Sequence, residues 1–504
     1  MKIRELLNNR LVDYASYDNL RKIASCVDGL KNSSRKVMYT VHEKKIKEKT
    51  KVLQLANKCA EFSDYLHGSL DGVVITLGQD FVGTNNIPLL QKFGNFGTRS
   101  VNEASAPRYI FAKGSDAFFN LFKYEDDAVL EKQEFEGYPI EPKFYVPTLP
   151  MLLVNGSEGV SSGFAQKVLP RNPESLMKYI TNKLEGKAVR SEWLNPWFKG
   201  FNGIIEKDSE LPNKWYVKGV IVPIVNNCYL IKEIPYQYDL KGYIDVLDAL
   251  VDSKKILRYK DESDGENILQ FRVWLPKGLN TDLHEHLKLV KPITENYTCI
   301  DSNNKIRLFN NISEIADYYI SIKKDYTNKR KEYHINKYNN ELNILLSKKI
   351  FISLYINNNI KINNIKKDEI IKQLKNVKEI IENDNYNYLL NMPIYSLTSE
   401  KIKALEDEIE KLKNELDSLK SKPVESIWID DINNLKIKWG KYMAVISTDE
   451  FKEKLSDFLN RDLITEAQYD DYMYQCAYTQ VYEPNQLQEV MSYILCKIPS
   501  EVEE

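Results

Sequence analysis

Arg108 and Tyr109 stand side by side in Asn102-Glu103-Ala104-Ser105-Ala106-Pro107-Arg108-Tyr109-Ile110-Phe111, shortly after the glycine-rich run Phe93-Gly94-Asn95-Phe96-Gly97-Thr98-Arg99. A tyrosine hydroxyl beside a guanidinium has the parts needed to open a phosphodiester. The phenolic oxygen is the nucleophile, and the arginine offsets the charge that builds on the phosphorus oxygens during attack. Tyrosine ionises near ~10, so the phenol must give up its proton at neutral pH, and cations nearby favour that loss. The ester formed is close in energy to the diester it replaces, so the broken strand can be resealed without fuel. Alone, the dipeptide is common, and a packed tyrosine beside a solvated arginine gives the same two letters.

A residue with this task must lie on a surface that meets nucleic acid, yet the formal net charge is -2. Net charge is blind to distribution. Between residues 31 and 58 the chain carries Lys31, Arg35, Lys36, Lys44, Lys45, Lys47, Lys49, Lys51 and Lys58 against only Glu43 and Glu48. Helices are expected over 35–43 and 52–62, with a third running through 70–74 and capped by Ser63-Asp64. Short helices with a basic surface suit a helix-turn-helix type of DNA-binding domain. Glycines between 83 and 97 imply a loop leading to the tyrosine. Pro139, Pro142, Pro147 and Pro150 mark a stiff connection. Residues 152–156 read as a buried strand ending in a turn, and 157–163 as a hairpin-like loop.

Residues 169–308 read as mixed α/β, with strands at 215–217, 219–222, 229–231 and 271–275 and a helix over 243–250. A long helical stretch follows over 315–352. Ile402, Leu405, Ile409, Leu412, Leu416 and Leu419 keep the alternating three-four spacing of a coiled-coil seam. A globular stretch separates the two, so they are expected to pair antiparallel within the chain as an arm with a tip. Beyond Pro423 the chain is aromatic-rich and offers no chemistry.

At 504 residues, about three domains are expected. No apolar run is long enough to span a bilayer, and the first residues lack the apolar core of a signal peptide, so a soluble cytoplasmic protein is expected. The six cysteines are scattered with no Cys-x-x-Cys pair, which argues against a zinc site or disulfide framework. His284-Glu285-His286 lacks further ligands and is better read as a helix start than as a metal site.

Several segments together resemble type IIA DNA topoisomerases. The Gly-Asn-Phe-Gly-Thr-Arg and Ser-Ala-Pro-Arg-Tyr-Ile-Phe segments resemble that family's active-site region. Val27-Asp28-Gly29-Leu30-Lys31 with Ser34-Arg35-Lys36-Val37, Asn155-Gly156-Ser157-Glu158-Gly159-Val160, Pro196-Trp197-Phe198-Lys199-Gly200-Phe201 and Ile231-Lys232-Glu233-Ile234-Pro235-Tyr236 are similar to further elements in the same order. The resemblance covers most of the chain up to about residue 420. Length and missing parts resemble the T4-like phage form of the family, in which the cleavage-religation chain is separate from the ATPase chain.

The resemblance implies an α+β multidomain fold. Residues 1–165 would form a winged-helix cleavage domain, 166–314 an α/β tower domain, and 315–424 a coiled-coil arm with a dimerisation gate at its tip. Residues 425–504 would be an extension of open role. Tyr109 would be the nucleophile, with Arg108, Arg21 and His67 near the phosphate. Lys31, Arg35 and Lys36 would bind DNA, and Val160 would wedge between base steps. It further implies double-stranded DNA as substrate, a homodimer, and a partner chain supplying ATP hydrolysis and a toprim domain that holds Mg2+. Leu66 and Ser69 depart from the family's Tyr-His-His-Gly-Glu pattern, Asn32 stands where proline is common, and Val160 is shorter than the usual isoleucine. A noncatalytic DNA-bridging protein, with the coiled coil as spacer, is the competing class.

Overall fold

The computed structural model describes residues 10–63, 68–225, 227–278, 281–363 and 365–443, together with Ser456 and Thr465. The chain divides into two compact units, Met1–Asp430 and Asp431–Glu504. Tyr109 and the described residues around it lie in the first.

Its opening helices are α1 (Val12–Lys22), α2 (Asn32–Glu43), α3 (Val52–Phe62) and α4 (Asp71–Gly78). Val37, Met38 and Val41 of α2 are buried, as are Val52, Leu55, Ala56 and Cys59 of α3 and Val74 and Leu77 of α4. That three-four spacing puts one apolar face of each helix into a shared core. Ser63 does not cap α4; its hydroxyl turns back to the Cys59 carbonyl at the end of α3, and Ser69 Oγ accepts from the Asp71 N–H instead. A small antiparallel sheet leans on these helices, with β3 (Phe111–Gly114) between β1 (Thr50–Lys51) and β2 (Leu90–Phe93). The glycine-rich region is therefore not all loop: Phe93 ends a strand and pairs with Phe111.

After α5 (Asp116–Leu121) come a 3-10 turn, Tyr124–Val129, and the hairpin of β4 (Lys132–Phe135) and β5 (Tyr138–Pro142). Buried His42 lies against the 3-10 turn, its ring 4.1 Å from that of Tyr124 and its Nδ1 3.6 Å from Asp127 Oδ2. Burial lowers the imidazole below its ordinary range, so the contact is not an ion pair at neutral pH. Burial pushes the Asp127 carboxyl up to about 7, with the charges of Glu43 and Asp126 adding to the rise and that of Lys132 opposing it. Between the unfolded value near ~4 and this raised one, the fold holds more protons than the unfolded chain. Stability from this group therefore falls as pH rises through that window. Asp127→Asn is expected to raise Tm at pH 8 and leave it nearly unchanged at pH 4. Calorimetry at the two pH values checks this, and an equal gain at both would rule it out.

The proline-rich connection runs extended and has no ladder partner at its centre. Its carbonyls are satisfied by side chains: Val146 O accepts from Lys323 Nζ at 2.7 Å, Pro147 O from Tyr319 Oη, and Thr148 O from Trp428 Nε1 at 3.1 Å. Residues 152–156, expected as a strand ending in a turn, instead fall in the short helix α6 (Met151–Asn155) and the glycine that ends it. Pro150 starts it, and Gly156, at φ 71°, ends it. The expected hairpin follows as β6 (Ser157–Ser161) and β7 (Phe164–Val168), with Val160 opposite Ala165.

Helix α7 (Pro173–Leu184) is capped by Asn172. Two antiparallel sheets come next. One is ordered β14 (Val290–Thr294), β9 (Lys214–Lys218), β8 (Ile204–Lys207). The other is ordered β10 (Val220–Val225), β11 (Cys228–Glu233), β13 (Phe271–Trp274), β12 (Arg258–Asp261). Helix α8 (Leu240–Asp252) covers the latter, packing Tyr243 and Leu247 on Ile231, Phe271 and Val273. Arg171, fully buried, bonds both carboxylate oxygens of Glu295, at 2.6 and 2.8 Å, which also accepts from Trp215 Nε1. The histidines of residues 284 and 286 each face a backbone carbonyl, of Gly219 and Lys255.

The long helix α9 (Ile312–Ile356) leads to a small core built of Phe351, Ile360, Ile370, Leu374 and Leu389, around α10 (Lys367–Lys375). The chain returns as α11 (Ser399–Ser421), which buries Leu405, Ile409 and Leu416. Lys349 pairs with Glu406 at 2.8 Å, and Lys331 Nζ donates to the carbonyls of Lys420 and Lys422. Rising numbers on one helix meet falling numbers on the other, so α9 and α11 run antiparallel. Helix α12 (Val424–Met443) follows. No helix among the described residues is long and apolar enough to cross a membrane.

Candidate active site

Tyr109 sits just before β3 and is 68% exposed, while its neighbour Ile110 is buried. Its segment is pinned from both sides. Pro107 O accepts from the Leu53 N–H at 3.2 Å, and Ile110 O accepts from the Val52 N–H at 3.0 Å. Those are the first amides of α3, donors with no partner inside their own helix. The tyrosine loop thus caps α3, and the positive end of that helix faces the segment carrying the hydroxyl. The Tyr109 amide closes a tight turn on Ala106 O at 2.9 Å. Arg108 is exposed, and its guanidinium lies 5.1 Å from the Tyr109 ring centroid. Backbone anchoring with a solvent-facing phenol fits a nucleophile better than a packed tyrosine.

The glycine-rich run fits against this segment. Gly94, at φ +92°, passes Ile110 so closely that a Cβ there would lie 3.0 Å from Ile110 Cγ2. Asn95 closes the loop on itself, its carbonyl accepting from Ser105 N at 3.0 Å and its Oδ1 from Gly97 N at 2.7 Å. Exposed lysines border the sheet. Lys49 lies over both Phe111 and Phe93, at 4.7 and 5.1 Å, and Lys47 over Phe119 at 5.2 Å. In the sequence Lys47 and Lys49 are only two members of a basic run. A count of charges does not reveal that they stack on aromatic faces beside the tyrosine strand.

A second group of expected residues gathers at the β6–β7 hairpin. Val160 is 72% exposed, which excludes a core valine. Gly159 lets the hairpin touch α1, since a Cβ there would lie 2.2 Å from Lys22 O. Ser161 Oγ donates to Asn19 Oδ1 at 2.5 Å, and both the amide and hydroxyl of Ser162 reach Asp18 Oδ2 at 2.9 Å. Lys31 Nζ donates to Glu158 O at 2.7 Å, and burial lowers its pKa while Glu158 opposes the shift. Arg21, in the last turn of α1, is half-buried and has no ion-pair or hydrogen-bond partner among the described residues. Arg21, Lys31 and Val160 therefore cluster around α1 and the hairpin, whereas Arg108 and Tyr109 form their own pair on the α3 side. His67 lies outside the described residues.

Two expected DNA contacts are corrected. Arg35 is buried and bonds Asp28 through Nε at 2.7 Å and Nη2 at 3.0 Å, with a further bond to Leu30 O. Asp28 in turn accepts from the amides of Leu30 and Tyr145. The Asp-Gly-Leu-Lys…Arg element is thus an internal knot, and taking this guanidinium out to a phosphate would strand a buried carboxylate. Lys36 is likewise held inside, by Glu141 at 2.9 Å and the Ser63 carbonyl at 2.6 Å. Among the described residues no group of three or more His, Cys, Asp or Glu side chains could hold a metal ion.

Residues 21–433 match the family model for the A-subunit of DNA gyrase/topoisomerase IV. The chain is 30% identical over 470 residues to mitochondrial DNA topoisomerase 2 of Dictyostelium discoideum, covering 89% of this chain and 36% of that protein. It is 28% identical over 505 residues to DNA topoisomerase 2 of Saccharomyces cerevisiae, covering 88% of this chain and 35% of that protein. It thus spans about a third of the length of these curated relatives. Among solved structures it is similar to the DNA-binding, cleavage and re-ligation domain of Plasmodium falciparum topoisomerase II. There the TM-score is 0.75 at 30% identity, covering 86% of this chain and 64% of that one. In both relatives the matched stretch is one part of a longer chain, which differs from the separate-chain phage arrangement expected from the sequence.

Proposed function

The chain belongs to the DNA gyrase/topoisomerase IV A-subunit family, and from that premise we propose that it is the cleavage-religation part of an ATP-dependent type IIA DNA topoisomerase. The observation that carries this reading is the exposed Tyr109 hydroxyl on a loop whose backbone is bonded to the first amides of α3. The phenolic oxygen bonds to phosphorus and the bond from phosphorus to the 3′ oxygen breaks. The phenol proton leaves to solvent or a neighbouring base, and the departing oxygen takes one up as a 3′ hydroxyl. A 5′-phosphotyrosyl ester remains, and the reverse attack reseals the strand. Arg108 offsets charge on the phosphoryl oxygens, with Arg21 and His67 as further phosphate contacts.

One chain carries one such tyrosine and a duplex has two strands, so the working form is a homodimer. The antiparallel α9 and α11 act as a coiled-coil arm, with the core around α10 as the dimer gate through which a second duplex leaves. The opening helices with β1–β3 act as the winged-helix domain, and the sheets between residues 166 and 314 as the tower. Mg2+ and ATP are supplied by a toprim domain and an ATPase carried on a partner chain.

The test is denaturant trapping. The chain, mixed with ATPase and toprim segments from a relative, Mg2+ and end-labelled duplex, is expected to retain the label covalently after detergent. Binding without any adduct would favour the noncatalytic bridge.

Val160 stands exposed at the end of a hairpin fastened to α1. Inserted between base steps it would kink the duplex, at a cost of a few kcal/mol returned through contacts the bent DNA makes. Val160→Ala is expected to reduce the bend, read by energy transfer between dyes at the duplex ends, and to weaken DNA binding no more than about tenfold. An unchanged bend would remove Val160 from this role.

A further inference from the structure

Two motifs separated by 134 residues meet through a buried ion pair that the cleavage chemistry does not use. Arg99 closes the glycine-rich run and Glu233 ends β11, and both are almost fully buried. The Arg99 Nη2 donates to Glu233 Oε1 and also to Ile234 O at 2.9 Å. Glu233 accepts as well from the amides of Ile234, at 2.9 Å, and Asn202, at 3.1 Å. The carboxylate is thus fixed before Arg99 reaches it.

The loop this pair holds is the one that ends in Tyr109. Its outgoing half is anchored by Phe96, buried against Gly78 with its carbonyl bonded by Gln79. Its returning half has fewer supports. Thr98 and Val101 close a turn, Ser100 N donates to Glu266 O at 2.9 Å, and Ser105 N donates to Asn95 O. Val101 is exposed. Without Arg99 in place, the segment from Ser100 to Arg108 would hang from backbone hydrogen bonds and from the Thr98 hydroxyl that accepts from the Val101 amide.

We propose that Glu233 is a positioning residue for Tyr109, acting through Arg99 to hold the returning half of the glycine-rich loop in the geometry required for attack. The pair ties the nucleophile's loop to the sheet of β10–β13, so a displacement of that sheet reaches the phenol. The idea rests on the cleavage reading above. Arg99 and Glu233 touch no reacting atom, so their effect is on alignment, and small misalignments lower rate steeply.

Glu233→Gln keeps the shape and removes the charge. With ATPase and toprim segments, Mg2+ and saturating duplex, adduct formation is expected to slow by about tenfold or more, while the DNA concentration giving half-maximal adduct stays within about twofold of wild type. Hydrogen exchange at the Ser105 and Tyr109 amides is expected to quicken by a similar factor, with the inner amides of α3 unchanged. An adduct rate equal to wild type, or a loss recovered by adding DNA, would overturn the positioning role. So would unchanged exchange in the loop. If Glu233→Gln loses its cooperative melting transition, Arg99→Lys, which keeps the charge but not the fork, decides by the same readouts. A wild-type chain that forms no adduct overturns the topoisomerase reading instead, while the exchange contrast still decides whether Glu233 holds the loop.

Discussion

Tyr109→Phe is expected to abolish the covalent DNA adduct, lowering it by at least about 10³-fold, the scale set by losing a nucleophile. The substitution removes one oxygen from a side chain that is 68% exposed and makes no side-chain hydrogen bond to any described residue. Folding should therefore be unaffected, since the anchoring runs through the backbone: Pro107 and Ile110 carbonyls to α3, and the Tyr109 amide to Ala106. DNA affinity should stay within a few-fold. Detergent-trapped adduct and DNA binding, measured on the same preparations, separate these effects. Adduct at the wild-type level in the variant would move the nucleophile elsewhere. Arg108→Ala is the natural companion, with DNA still bound and cleavage slowed rather than lost, because the guanidinium assists and does not itself bond to phosphorus.

The second large effect is on stability. Asp126, in the 3-10 turn Tyr124–Val129, is buried and faces two buried cations of α9: Lys323 Nζ at 3.2 Å and Arg330 Nη1 at 3.2 Å. Asp126→Ala leaves both cations without that carboxylate, a change that costs about 3–5 kcal/mol when a buried pair loses one partner. Denaturant unfolding followed by far-UV signal gives the number. Replacing Lys323 and Arg330 by methionine in the Asp126→Ala background should recover part of it, because the cations are gone while the Val146 carbonyl loses its Lys323 donor. A loss below about 1 kcal/mol in the single variant would mean that water reaches the cluster. The root of the long helix is held by charge and by the two carbonyls of Val146 and Pro147, not by apolar packing alone.

Much of this is legible in the sequence, for identifiable reasons. Helices over 32–43 and 52–62 carry apolar residues at three-four spacing, and the Ile402–Leu419 repeat predicts which face of α11 is buried. The segment at 152–156 misleads because a short apolar run suits a strand and a buried helix equally. Pro150 before it and Gly156 after it are the signals that favour the helix. Arg35 misleads because a tally of basic residues ignores what each can reach. Asp28, in the turn just before the helix, is the partner to look for. In the same way, no local pattern joins Arg99 to Glu233; only the fold brings them together. The Tyr109 segment is legible as a motif, but its attachment to the start of α3 depends on backbone bonds that no side chain announces.

The two long helices have a further consequence. Because Lys331 faces the end of α11 and Lys349 faces Glu406, the limbs are bolted together like rungs at two heights. A cut across both limbs at any rung leaves two chain ends side by side, which a short turn can rejoin. The distal piece is in that sense a cassette: evolution or an engineer can trim, lengthen or exchange it without disturbing the base.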